Sequence, residues 1–265
     1  MNETPEKKMI AYRDAGTGWL VFSNPARRNA VSYEMWAAMA PILEDYAADP
    51  GVRALVVRGD GDKAFVSGAD ISQFEQQRGT PEAVADYDRV SGRAQSLLAG
   101  FPKPTIAMIR GYCIGGGVGV ALNCDLRIAA DDARFAVPAA RLGLGYKYGG
   151  IKRLVDVVGP AFAKEIFFTA RQFSAQEALA MGLVNRVVPA AALEDYVADY
   201  AARIAENAPL TVAAAKLAID HAGADEAGKD TTEVDRAVDA CFRSEDYIEG
   251  RRAFMEKRKP AFRGR

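Results

Sequence analysis

Two short segments hold the residues whose types and spacing promise chemistry. The first is Lys63-Ala-Phe-Val-Ser-Gly-Ala-Asp-Ile71 and the second is Gly111-Tyr-Cys-Ile-Gly-Gly-Gly-Val-Gly119. Each reads as an apolar strand, a glycine-containing turn and the start of a helix. Glycine lets the backbone approach a ligand with no Cβ in the way. The first N–H groups of a helix have no intrahelical acceptor and carry the positive end of its dipole. One such donor is an ordinary anion site. Two aimed at one point form an oxyanion hole, which removes roughly 3 kcal/mol per donor from a barrier that builds charge on oxygen. Either segment taken alone is equally compatible with a tight turn that serves packing only. A dinucleotide fingerprint fits less well: Gly115 to Gly119 does not follow G-x-G-x-x-G, and no acidic residue closes a following strand at the required distance.

The elements that must position these turns alternate along the chain. Apolar strands are expected at Trp19–Phe22, Ala54–Arg58, Pro104–Ile109, Asp125–Ala129, Arg134–Val137 and Val184–Val188. Ser32 is placed to cap a helix reaching Ala48, and Thr80-Pro81 opens another that ends near Gly100. An apolar helix follows Gly115-Gly-Gly117, and short helices are expected over 160–170 and 174–181. This alternation predicts an α/β fold with mostly parallel strands. Beyond Pro189 the pattern is helical only, broken at Pro209 and Gly223, with Ser244 capping the last helix. We therefore expect an α/β core over residues 1–195 and a helical region over 196–265 that packs on the core or on a neighbouring subunit.

Composition narrows the function classes. The 265 residues are 49% hydrophobic, enough for one substantial core. Lys plus Arg number 34 against 35 Asp plus Glu, so nothing global points to nucleic acid or to an acidic membrane surface. No apolar run approaches the roughly 20 residues that span a bilayer, and the polar stretch Met1 to Lys8 does not resemble a secretory signal. Cys113, Cys124 and Cys241 lack metal-ligand or redox spacing and fit reduced thiols in a cytoplasmic protein. His221 is the single histidine, which disfavours His-based triads and multi-His metal sites.

Seven stretches in order extend the pattern over nearly the whole chain: Asn24-Pro-Ala-Arg-Arg-Asn-Ala30, Phe65 to Ile71, Pro102-Lys-Pro-Thr-Ile106, Gly111 to Gly117, Cys124-Asp-Leu-Arg-Ile128, Ala178 to Val184 and Glu256-Lys-Arg-Lys-Pro260. On these residues the chain resembles the crotonase (enoyl-CoA hydratase/isomerase) superfamily. The resemblance implies a spiral of ββα units with a C-terminal helical region, and an acyl-coenzyme A substrate whose thioester enolate is held by the N–H groups of Ala69 and Gly116. It implies coenzyme contacts from Arg28 and Ala30, from Ala69 and Ile71 near the adenine, and from Phe254 and Lys257 on the C-terminal helix across a subunit boundary. Homotrimers, or hexamers of paired trimers, are implied as well. Coenzyme A would enter as part of the substrate, with no separate cofactor and no metal.

The pattern departs from hydratases of that superfamily at two places. They carry one glutamate three residues after the middle glycine and another after the proline that ends the next strand. This chain has Gly119 and Ala139 there. Water addition needs an acid and a base within reach of the attacked alkene, and neither residue supplies one. Tyr146 is the polar side chain the nearby loop offers. The run Leu142 to Tyr146 with Gly150-Ile151, and the ending Ser244 to Gly250, resemble methylmalonyl-CoA decarboxylases of the same superfamily, although Ala69 stands where that subgroup often has histidine. Loss of carbon dioxide itself creates the enolate, so a site without carboxylates favours decarboxylation of a malonyl-type thioester as the expected reaction, with Tyr146 holding the departing carboxylate and Ala139 lining the acyl site. Hydratase or isomerase chemistry with a non-standard base, and acyl-coenzyme A binding without catalysis, are the alternatives.

Overall fold

The computed structural model describes residues 8–70, 80–223 and 230–265. Two sheets form its framework. The larger has six strands, adjacent in the order β1 (Lys8–Asp14), β2 (Thr17–Ser23), β3 (Ala54–Gly59), β5 (Thr105–Ile109), β7 (Leu126–Ala130) and β10 (Arg186–Val188). The smaller runs β4 (Ala64–Val66), β6 (Tyr112–Ile114), β8 (Arg134–Ala136) and β9 (Phe173–Ser174). Among the strands of the described residues, only β1 against β2 and β9 against β8 are antiparallel. The other pairings are parallel.

The chain builds both sheets at once. Each unit gives one strand to the large sheet, a short one to the small sheet, and then a helix. β3 and β4 precede α2 (Pro81–Ala99), β5 and β6 precede α3 (Gly116–Leu122), and β7 and β8 precede α4 (Tyr148–Thr169). This is the ββα spiral that the resemblance implied. Because β4 and β6 pair in parallel, the turns that follow them emerge side by side at one end of the small sheet.

Local chemistry explains the element ends. The Ser32 hydroxyl accepts from Met35 N at 3.3 Å to cap α1 (Tyr33–Ala48), and Thr80 accepts from Ala83 N at 3.2 Å at the head of α2, with Pro81 in its first turn. The central strands are buried on both faces, as their continuous apolar runs require. Leu55, Val57, Ala107 and Ile109 point into the main core with Phe22, Phe65 and Phe173. The alternate residues Val56, Ile106, Met108 and Ile128 point the other way, onto Leu193, Val197 and Ala201.

That second layer alters the expected division of the chain. After α5 (Ala175–Ala180) comes α6 (Leu193–Ala205), which covers the outer face of the large sheet. The expected boundary at residue 195 falls inside α6. The helices beyond the body are α7 (Pro209–Gly223), α8 (Thr232–Arg243) and α9 (Glu245–Glu256). The short helix expected over 160–170 is instead the second half of α4, which starts at Tyr148 and breaks its helical geometry at Gly159 (φ 74°) before Pro160. The glycines at 149, 150 and 159 read as loop in sequence, yet the first half of α4 is held by Leu154 and Val158 in the core. Among the described residues, no helix is long and apolar enough to cross a membrane.

Candidate active site

The two glycine turns meet. Val31 N–H donates to Gly68 O at 2.8 Å, and Asp70 N–H donates to Val31 O at 2.9 Å, so Ala69 bridges in parallel with Val31, just after Gly68 turns the chain at φ 110°. Successive N–H groups of extended backbone alternate sides. With Asp70 N–H turned toward Val31, the N–H of half-buried Ala69 faces away from Val31, and its nitrogen lies beside the start of α3. There Gly115 adopts φ 55°, ψ −112°, a conformation open to glycine, and Gly116 opens the helix with an N–H that has no intrahelical acceptor. A Cβ placed on Gly116 would lie 4.0 Å from Ala69 N and 3.9 Å from Gly68 Cα. That Cβ position is about 2.5 Å from Gly116 N, so the two nitrogens are at most about 6.5 Å apart. Two donors sharing one acceptor oxygen span up to about 6 Å.

Close approach is enforced from below. A Cβ on Gly117 would stand 2.1 Å from Val66 O, so only glycine lets α3 rest against the end of β4. The opposite side of the first turn of α3 is open. Gly115, Gly116 and Gly119 are all at least partly exposed and share one face of the helix. They form a shelf with polar groups at its two ends. The Tyr146 hydroxyl oxygen lies 3.8 Å from the position of a Cβ on Gly115, and Gln95 Oε1 lies 3.8 Å from that of a Cβ on Gly119.

Tyr146 is half-buried and packs edge-on against Phe167, with ring centroids 5.1 Å apart and planes at 81°. Burial raises its pKa above the ordinary phenol value of 10.0, so the group is a neutral hydroxyl through physiological pH. Neighbouring Lys147 pairs with Asp88 of α2 at 2.6 Å, which ties the loop before α4 to that helix. Arg141 is exposed. Ala139 is buried in a 3-10 turn (Pro138–Leu142), its carbonyl accepting from Leu144 N. Neither position 119 nor position 139 carries a carboxylate, as the sequence shows. Cys113 in β6 and Cys124 after α3 are fully buried; desolvation pushes the Cys124 thiol up to about 12 and Cys113 higher still, which removes both as nucleophiles.

The Asn24–Ala30 stretch is built onto the first turn. Arg28 O accepts from Ser67 N at 3.2 Å, and Arg28 is exposed with its guanidinium 4.7 Å from the Tyr112 ring centroid. Ala30 is buried, and its carbonyl takes a hydrogen bond from Asn24 Nδ2. Arg28 and Asn29 both sit in the left-handed region. Asn29 Nδ2 holds that bend by donating to Asp60 O and Ala64 O, and Asn24 N–H donates to Asn29 Oδ1. Two buried asparagines, Asn24 and Asn29, thus clamp this stretch from within, while Pro25 to Arg28 stay exposed. Ile71 lies outside the described residues. Phe254 is 83% exposed and Lys257 ends α9 in the left-handed region, also exposed; the single chain does not pack either against the shelf. Asp125 is structural, accepting from Thr105 N and pairing with Lys216 at 2.8 Å. His221 lies in the last turn of α7. Sequence reasoning missed Gln95, one polar residue of an amphipathic helix, because nothing in the sequence says which residue of α2 looks toward α3.

Fold and site together define a class: a ββα spiral whose two glycine turns bring separate backbone donors to one open shelf. The family model for enoyl-CoA hydratase/isomerase matches residues 13–265. A crotonyl-CoA hydratase of Syntrophomonas wolfei is 37% identical over 263 residues, covering 97% of this chain and 98% of that protein. A carnitinyl-CoA dehydratase of Proteus mirabilis is 35% identical over 243 residues, 90% of this chain and 92% of its own. A crystal structure of an enoyl-CoA hydratase/carnithine racemase from Magnetospirillum magneticum superposes with a TM-score of 0.90 at 35% identity, covering 97% and 96% of the two chains. The chain belongs to the enoyl-CoA hydratase/isomerase family, the crotonase superfamily of acyl-CoA enzymes. The expected likeness to methylmalonyl-CoA decarboxylases draws no support from these relatives.

Proposed function

We propose that this chain catalyses hydration of an enoyl-coenzyme A thioester, or the reverse dehydration, through an enolate whose oxygen is held between the N–H groups of Ala69 and Gly116. The observation that carries this is the approach of those two amides from separate turns beside an open shelf. A thioester α-carbon is a weak acid, and the hard step is moving charge onto the carbonyl oxygen. Donors fixed in place do this without reorganising. The names of the hydratase and dehydratase relatives support water addition and loss. With glycine and alanine where such enzymes have glutamates, Tyr146 is the group we assign to proton movement. Water adds to the β-carbon and the alkene electron pair passes onto the thioester as the enolate; as the enolate collapses, the Tyr146 hydroxyl gives its proton to the α-carbon and takes one from the added water oxygen, so no net proton is left on the protein. Coenzyme A enters as part of the substrate, and no step needs a separate cofactor. Arg28 and Ala30 are assigned to coenzyme binding from beside the first turn. Phe254 and Lys257 are assigned to coenzyme held by a neighbouring copy, in keeping with their exposure here.

A second reaction has one observation in its favour. Positions 119 and 139 lack carboxylates, and decarboxylation of a malonyl-type thioester needs no base, because the departing carbon dioxide leaves its electron pair in the enolate. A neutral shelf also avoids repelling the substrate carboxylate. Purified protein mixed with crotonyl-CoA should show loss of the enoyl-thioester absorbance. Carbon dioxide release from methylmalonyl-CoA without that loss would replace hydration by decarboxylation. Tight binding of both without turnover would make the chain a binding protein, and failure to bind either would remove the acyl-thioester assignment.

A further inference from the structure

We propose that Gln95 binds the oxygen on the β-carbon of the acyl chain and thereby selects thioesters that carry one. This deepens the assignment above and rests on it. Gln95 lies two helical turns after Asp88 on α2, on the same side of that helix, and Asp88 already reaches across to Lys147 in the loop that carries Tyr146. Gln95 therefore looks toward the same cleft. Its Oε1 stands 3.8 Å from the position of a Cβ on Gly119. A glutamate at 119 would carry its carboxylate oxygens to about 3–4 Å from its own Cβ. The amide delivered by α2 therefore fills the shell that a carboxylate grown from α3 would reach.

Spacing along α3 says which substrate atom it meets. Gly116 and Gly119 are three residues apart, a rise of about 4.5 Å. An acyl thioester with its carbonyl oxygen at Gly116 N–H and its chain laid along the shelf brings its β-carbon substituent to the level of Gly119. Gln95 is half-buried, and its side-chain amide makes no hydrogen bond to any described residue. A side-chain amide both donates and accepts, so it serves a hydroxyl or an attacking water equally, and a partly buried amide without a partner is costly unless a ligand or solvent supplies one. It carries no charge and contributes no titration of its own.

The test is a set of binding measurements with butyryl-CoA and 3-hydroxybutyryl-CoA on the wild-type protein and on Gln95→Leu, with thermal melting as the check on folding. The wild type should bind the hydroxylated thioester about tenfold more tightly than butyryl-CoA, the factor expected of one good hydrogen bond. Gln95→Leu should erase that preference while its affinity for butyryl-CoA stays within about twofold. An equal preference in both proteins means that Gln95 is merely solvated, and it overturns the inference while leaving the thioester assignment standing. If wild-type protein binds no butyryl-CoA at all, the thioester assignment falls and takes the inference with it. Should Gln95→Leu not fold, Gln95→Glu carries the test. Its preference for the hydroxylated thioester should vary with pH across the carboxylate range, and a preference independent of pH overturns the inference.

Discussion

Gly117 and Gly119 stand two residues apart on α3 and are glycine for different reasons. At Gly117 a Cβ would collide with the Val66 carbonyl at 2.1 Å; at Gly119 the nearest atom is a side-chain amide at 3.8 Å. One face of the helix is closed by the backbone of the small sheet, and the other is open to a cleft. The first glycine is demanded by the fold, since it allows the two turns to meet. No steric demand explains the second. It leaves space above the open shelf, the space into which the proposed reaction places the acyl chain. A glycine-rich run therefore mixes two kinds of residue that look identical in sequence.

The largest expected effect comes from closing the tight face. Gly117→Ala must push α3 off β4, at a cost toward the upper end of about 1–3 kcal/mol. A shift of about 1 Å between the two amides should also lower kcat/KM by about a hundredfold. Melting temperature and kinetics on crotonyl-CoA measure both. A variant with normal stability and turnover would erase the distinction between the faces.

Next comes the hydroxyl beside the open face. Tyr146→Phe removes a hydroxyl that has no hydrogen-bond partner among the described residues, so it should leave stability nearly unchanged and lower kcat by about a hundredfold or more. The direction of the pKa shift gives a further check. Burial raises Tyr146 above 10.0, so its proton is in place at all lower pH and is lost only on the alkaline side. The wild-type rate should be flat between about pH 5 and 9. An acid-side loss centred in the carboxylate range would assign the work to an acidic residue instead. The smallest effect is expected at the open glycine itself. Gly119→Ala should raise stability by about 0.5–1 kcal/mol, because alanine replaces glycine inside a helix with room for its methyl group. A destabilised Gly119→Ala would mean that this face is as tightly packed as the other.

Much of this arrangement was legible in the sequence. The capped starts of α1 and α2, the double-sided apolar runs of β3 and β5, and the strand–turn–helix order of the second glycine segment all follow from local rules, and each appears in the structure. What escaped depends on contacts distant in the chain. The extent of α4 was hidden because its glycines read as loop, whereas Leu154 and Val158 hold it in the core. The membership of α6 in the body depends on Leu193, Val197 and Ala201 meeting the outer face of the large sheet. The orientation of Gln95 toward Gly119 joins two helices through a topology that no single segment encodes.

In the proposed mechanism Ala69 and Gly116 together polarise a thioester carbonyl. Carbon-13 NMR of butyryl-CoA labelled at its carbonyl carbon tests it most directly, because hydrogen bonds to the oxygen deshield that carbon. The bound resonance should move clearly downfield of the free thioester. A carbonyl resonance unmoved in the saturated complex would contradict the claim.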